Sequence, residues 1–122
     1  MMCPGAETRN VIDGKIHEEI SDEFDDEELN RIVRYSFEKG GKRCRGIFLL
    51  LTCEALSGRR QEALDAAVAI ELFHTASLVF DDMVDEETSR RKSQPLHVSF
   101  GRQAAITCGL FLASKAVELS LI

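Results

Sequence analysis

The sequence predicts an all-α chain, and three observations carry that expectation. Apolar residues recur at helical spacing, once as Leu29, Ile32, Val33 and Phe37 and again as Ile106, Leu110, Ala113 and Val117. A long alanine-rich stretch runs from Gln61 to about Met83, a composition suited to closely packed helices. No alternating apolar pattern of a strand and no internal repeat is present. At 122 residues the chain suits one domain or a part of one.

Taken in order, residues 1–20 promise little, because Pro4 and Gly5 oppose regular structure; a flexible N-terminal arm is expected there, ahead of a helical region over 21–122. His17 reads as exposed. The acidic run from Asp22 to Glu28 precedes the first apolar stripe. Asp25 is expected to cap that helix, with the acids favouring its positive end. Gly40-Gly41 stops it. The helix from about Arg45 to Leu56 is apolar nearly all round and therefore expected to be buried, and Ser57-Gly58 ends it. Residues 89–101, with Pro95, read as a connection before a last helix from about Arg102, whose expected buried stripe is the second one named above.

The net charge of −6, without a basic stripe interleaved with aromatics, argues against nucleic-acid binding. Cys3, Cys44, Cys53 and Cys108 lack CxxC spacing, so neither a zinc site nor a disulfide framework is indicated; Cys53 and Cys108 read as buried thiols, and a reducing cytoplasm is the expected location. The N-terminus lacks the apolar core of a signal peptide, and no transmembrane span is expected: the run Gly46 to Cys53 is too short, and Lys115 and Glu118 interrupt the C-terminal one.

The chemistry concentrates in Glu71 to Arg91. On a helix, Asp81, Asp82 and Asp85 fall on neighbouring faces, a tight cluster of carboxylates that repel one another unless a cation sits among them. Oxygen-only ligands favour Mg²⁺, which completes its shell from water and phosphate, and Arg90 and Arg91 can bind further phosphate oxygens. Glu71, His74 and Leu78 share roughly that stripe, with Leu72, Ala76, Val79 and Phe80 on the others. Upstream, Gly40-Gly41-Lys42-Arg43-Cys44-Arg45-Gly46 pairs flexible backbone with concentrated positive charge beside a helix start; it reads either as a diphosphate cradle or as a helix end followed by a basic turn. By itself the acid cluster is also compatible with a solvated helix face, and His74 with a satisfied core histidine.

Together, in this order, the two motifs resemble those of the trans-isoprenyl diphosphate synthases, or polyprenyl synthetases: DDxxD at Asp81, Asp82 and Asp85, the following pair Arg90 and Arg91, and GGKRxR at residues 40–45. The resemblance covers about residues 28–122. It implies an antiparallel helix bundle of the isoprenoid synthase type, incomplete here, and a Mg²⁺-dependent head-to-tail condensation of an allylic diphosphate with isopentenyl diphosphate. It also implies that Asp81 and Asp85 hold magnesium with Asp82 in support, and that Arg90 contacts the allylic diphosphate. Lys42, Arg45, Arg91 and an assisting His74 would hold isopentenyl diphosphate. Ala76 and Ser77 stand where family members set product length, and their small size implies geranylgeranyl or longer. Departures are Lys92 where glycine is usual, Pro95 displaced by one, and Leu110 in place of an aspartate.

Family members are usually more than twice as long and carry a second aspartate-rich motif. The expectation is therefore a fragment or one subunit of a split or heteromeric synthase, joined to other helices as a homo- or hetero-oligomer, with a regulatory subunit or helical interaction module as the alternative. Class I terpene cyclases share the magnesium motif, but the GGKRCR loop and the arginine pair discriminate against them. An apolar product could bring the protein to a membrane surface.

Overall fold

The computed structural model describes residues 4–38, 41–56, 58–86 and 94–121. They form six helices: α1 (Pro4–Ile20), α2 (Glu27–Glu38), α3 (Cys44–Ala55), α4 (Arg60–Val84), α5 (Leu96–Phe100) and α6 (Arg102–Ser120). No strand occurs among the described residues, so the all-α expectation holds.

The long α4 is the central element, packed along α6 on one side and α3 on another, with α1 against both α3 and α4. Its alanines make this possible: Ala63, Ala67, Ala69 and Ala76 are buried together with Val68 and Leu72, so neighbouring helices come close on more than one side. By length and composition alone α4 could cross a membrane, which reading for uninterrupted apolar runs missed. Half of its apolar window is buried inside the bundle, and a core helix passes the same test.

Residues 4–20, expected as part of a flexible arm, are instead the helix α1. Thr8, Ile12, Ile16 and Ile20 recur every four residues and are buried. The stripe is one residue wide, which is why a polar, glycine-containing composition concealed it. At the start of α2 the cap is Asp26, one residue later than expected: its Oδ1 accepts the Glu28 N–H at 2.8 Å. The Asn30 side chain then brackets Phe24, accepting its N–H at 3.0 Å and donating to its carbonyl at 2.8 Å, which fixes the turn between α1 and α2. The predicted α2 stripe is observed, with Ile32 and Val33 buried and Leu29 and Phe37 half-buried against the core. His17 is exposed as expected, and the acids around α2 pair with Arg31 and Arg34.

Two packing expectations are corrected. The apolar α3 was expected to be buried all round, but within the described residues it buries mainly Gly46 and Leu50, and Phe48 is 73% exposed. In α6 three of the four residues of the expected stripe, Ile106, Leu110 and Val117, face outward, Leu110 at 58%, and only Ala113 is half-buried against the core, while Ala105, Cys108, Gly109, Leu112, Ala116 and Leu119 are buried. The reason is size. A helix lying close to α4 presents small side chains to it, and at Gly109 an added Cβ would come within 2.6 Å of the Phe80 ring. Cys108 is buried as expected, and burial pushes its thiol up to about 11, against a smaller opposing hydrogen bond from Ser36; Cys53 is half-buried. Within the 89–101 connection, the described part contains α5.

Stability should separate the two α6 faces. Leu112→Ala, which empties a fully buried site, should cost about 2–5 kcal/mol in urea unfolding. Leu110→Ser, on the uncovered face, should change it by about 0.5 kcal/mol or less.

Candidate functional site

A cavity of about 470 Å³ opens where α2, the start of α3, α4 and the segment before α5 converge. From α4 it receives Glu71, His74, Thr75, Leu78, Val79 and Asp82, which recur at three- and four-residue steps and so form a single helix face. The opposite wall is residues 41–45 with Lys42 and Arg45. Tyr35 closes one side, its hydroxyl donating to the Gln94 carbonyl at 2.8 Å, and Pro95 and Leu96 add apolar surface.

The local backbone explains how the basic residues are presented. Arg43 has φ 56° and ψ 31°, in the left-handed region, and stands immediately before the first residue of α3. Its guanidinium is not at the disposal of an anion in the way composition suggested: Arg43 is 8% exposed, its Nε donates to Asp13 Oδ1 at 2.6 Å, and it lies over the Phe37 ring at 5.4 Å. Lys42 and Arg45 are the exposed cations of this loop. Among the described residues Lys42 has no ion pair, and the free N–H groups of the α3 N-terminus add to the positive character of this wall.

Glu71 is 2% exposed, and its Oε1 accepts the Gly46 N–H at 2.8 Å. A carboxylate of one helix thus caps the first turn of another. The approach is close: a Cβ on Gly46 would lie 3.2 Å from both the Ala67 carbonyl oxygen and Glu71 Cγ, and 3.0 Å from Ile12 Cδ1. Beside it, the Arg45 Nη1 lies 3.2 Å from His74 Nε2. Arginine has no acceptor, so Nε2 carries the lone pair and the imidazole steers the guanidinium along the cavity wall. The sequence placed Glu71 on this stripe but gave it no role; an acid in the middle of an apolar helix face was the available signal, since such a group is buried only with a donor.

Of the residues singled out in the sequence, Lys42, Arg45, His74 and Asp82 converge on the cavity. Asp82 is 4% exposed on its wall. Asp81 and Asp85 do not line it: both are exposed, Asp81 on the last turn of α4 and Asp85 just past its end, its N–H donating to the Asp81 carbonyl at 2.8 Å. The expected tight cluster of three carboxylates is therefore corrected. Among the described residues no three His, Cys, Asp or Glu side chains come together as a metal site, because consecutive Asp81 and Asp82 diverge by about 100° around the helix. What is left is an exposed, all-oxygen pair one turn apart, Asp81 and Asp85, and such a pair suits a hard divalent cation that completes its shell from water and phosphate. Ala76 is buried in the core and Ser77 is exposed, its hydroxyl donating to the His74 carbonyl at 2.7 Å; neither lines this cavity. Gly40, Arg90, Arg91 and Lys92 lie outside the described residues.

Residues 26–121 match the family described as polyprenyl synthetase. The chain belongs to the polyprenyl synthetase family. A geranylgeranyl diphosphate synthase of Methanosarcina mazei is 42% identical over 93 residues, covering 76% of this chain and 29% of that protein. A short chain isoprenyl diphosphate synthase of Methanothermobacter thermautotrophicus is 42% identical over 108 residues, covering 88% of this chain and 33% of the relative. In three dimensions the geranylgeranyl pyrophosphate synthetase of the archaeon Geoglobus acetivorans superposes with a TM-score of 0.87 at 37% identity, over 93% of this chain and 37% of that one. The bundle is thus the isoprenoid synthase fold, and the chain spans about a third of the length of the relatives it matches.

The cap on α3 can be tested by itself. Glu71→Ala, leaving the Gly46 N–H buried without an acceptor, should destabilise the chain by about 1–3 kcal/mol in chemical denaturation, and Glu71→Gln, which keeps an acceptor oxygen, by distinctly less.

Proposed function

We propose that this chain supplies the first aspartate-rich motif and the GGKR loop of a Mg²⁺-dependent trans-prenyltransferase, condensing an allylic diphosphate with isopentenyl diphosphate. The observation that carries the reading is the cavity: in a polyprenyl synthetase chain, Lys42 and Arg45 meet across an open volume from the α4 face that ends in the aspartates.

Lys42 and Arg45 bind the diphosphate of isopentenyl diphosphate, a point charge and a planar fork, with His74 orienting Arg45. Leu78, Val79 and Leu96 give the reacting carbons an apolar wall and limit water. The C–O bond of the allylic diphosphate breaks, its carbon is attacked by the double bond of isopentenyl diphosphate, and loss of a proton leaves a chain one isoprene unit longer. Asp81 and Asp85 would hold Mg²⁺, which when bound would neutralise charge developing on the departing diphosphate, a contribution of roughly several kcal/mol. Asp82, from the cavity wall, supports them. Arg90 is assigned to the allylic diphosphate and Arg91 to isopentenyl diphosphate on the resemblance of the motif. A geranylgeranyl or longer product agrees with the names of two of the relatives cited and with the small Ser77, which continues an exposed α4 stripe with Ile70 and Phe73 toward Asp81.

Because the chain spans about a third of its relatives' length, turnover is assigned to an assembly in which residues 21–122 form the N-terminal half of the synthase domain, as part of a longer chain or as one subunit of a homo- or hetero-oligomer. A second reading, a regulatory or interaction subunit, is favoured by the uncovered apolar residues of α3 and α6, which suit packing against further helices. The three described cysteines are free, in keeping with a cytoplasmic protein, and an apolar product would bring it to membrane surfaces.

Titration calorimetry of the chain with isopentenyl diphosphate should show binding that Lys42→Ala or Arg45→Ala weakens by about tenfold or more each, as expected for loss of a charge-assisted bond. With an allylic diphosphate, Asp81→Ala should abolish the enhancement by Mg²⁺. A wild-type chain that binds neither diphosphate, with or without Mg²⁺, would contradict the reading.

A further inference from the structure

We propose that Asp13 is a positioning residue for the diphosphate-binding loop, acting through Arg43; the proposal rests on the reading that Lys42 and Arg45 receive a diphosphate. Asp13 lies on α1, outside residues 26–121 that match the family. It does not itself line the main cavity, whereas its partner Arg43 does, so its effect must pass through that partner.

Three cations stand within four residues of this loop, and only a division of labour lets them coexist. Arg43 adopts a left-handed backbone, φ 56°, which a residue with a Cβ holds only where its surroundings fix it. The surroundings here are Asp13, bonded to the Arg43 Nε at 2.6 Å, and the Phe37 ring beneath the guanidinium. That arrangement sends Arg43 toward a second groove, about 320 Å³, lined by Asp13, Ile16, His17, Arg34 and Phe37, while Lys42 and Arg45 remain exposed at the first. Arg43 borders both, as the partition between them. Asp13 also pairs with Arg9 at 3.6 Å, so removing its charge leaves two cations uncompensated on this side.

The loop is thus pinned twice. At Gly46 it is held by Glu71 from α4; at Arg43 it is held by Asp13 from α1. Without Asp13, the buried Arg43 guanidinium is left without its ion-pair partner. Water would then solvate it more favourably than the protein does, and leaving its seat would release the left-handed turn that aims Lys42 and Arg45.

The test uses the whole 122-residue chain, with amide hydrogen exchange at Gly46 and Ile47, whose N–H groups bond to Glu71 and to the Arg43 carbonyl, beside calorimetry with inorganic pyrophosphate. In Asp13→Asn these two amides should exchange about tenfold faster and pyrophosphate should bind about tenfold more weakly, with exchange in α4 and α6 unchanged. Arg43→Met should behave alike, and the double variant should be no worse than Arg43→Met. The proposal is overturned if Asp13→Asn leaves the loop amides unaltered, if it tightens pyrophosphate binding, which would make Arg43 itself an anion ligand, or if the two substitutions are additive. Faster loop exchange in a chain whose wild type binds no pyrophosphate would uphold the positioning of the loop and overturn the diphosphate reading beneath it.

Discussion

Everything at the site is measured from one close contact, the crossing of α3 over α4 at Gly46. Two helices can come this near only where one of them lacks a side chain, and the vacancy at Gly46 is what lets the Glu71 carboxylate reach a backbone N–H of the other helix. A buried carboxylate is costly without a donor, and an uncapped helix start is costly without an acceptor; each relieves the other. With the first turn of α3 held against α4, Arg45 falls beside His74, and the basic loop and the α4 face bound the cavity between them.

The electrostatics of the site follow from that frame. Positive groups come from a loop and a helix start and negative ones from the C-terminal turns of α4, so Lys42 and Arg45 lie on one wall of the cavity and Asp82 on another. A ligand carrying several negative charges meets the basic wall directly, while the aspartates suit a cation that bridges to it. Asp82 and Asp81 divide along the same line, one on the wall and one in solvent, because adjacent residues on a helix cannot share a face.

Much of this was legible in the residues alone. The existence of α2 and α3, the end of α3 before Gly58, the α2 stripe and the long α4 were readable because punctuation and 3.6-residue periodicity act locally. So was the convergence of Lys42, Arg45 and His74, carried by motifs whose chemistry requires proximity. What escaped was decided by tertiary packing. The outward turn of Leu110 and Val117 depends on which helix covers α6, and small residues won the interface although larger ones had the stronger apolar signal. The burial of Ile12, Ile16 and Ile20 depends on α3 and α4 being there to receive them. Arg43 read only as one of three positive charges in the loop, since neither its left-handed backbone nor Asp13, thirty residues away, is visible in the local pattern.

The contact between Phe80 and Gly109 has a mechanical meaning for the aspartates. Phe80 immediately precedes Asp81, and its ring rests where α6 offers bare backbone, so the tip of α4 is seated on its neighbour like a beam on a fulcrum. The bare backbone at position 109, on a different helix, thus makes room for the ring next to Asp81. A single methyl group introduced there would have to displace that ring, reaching the neighbourhood of the acids without touching them.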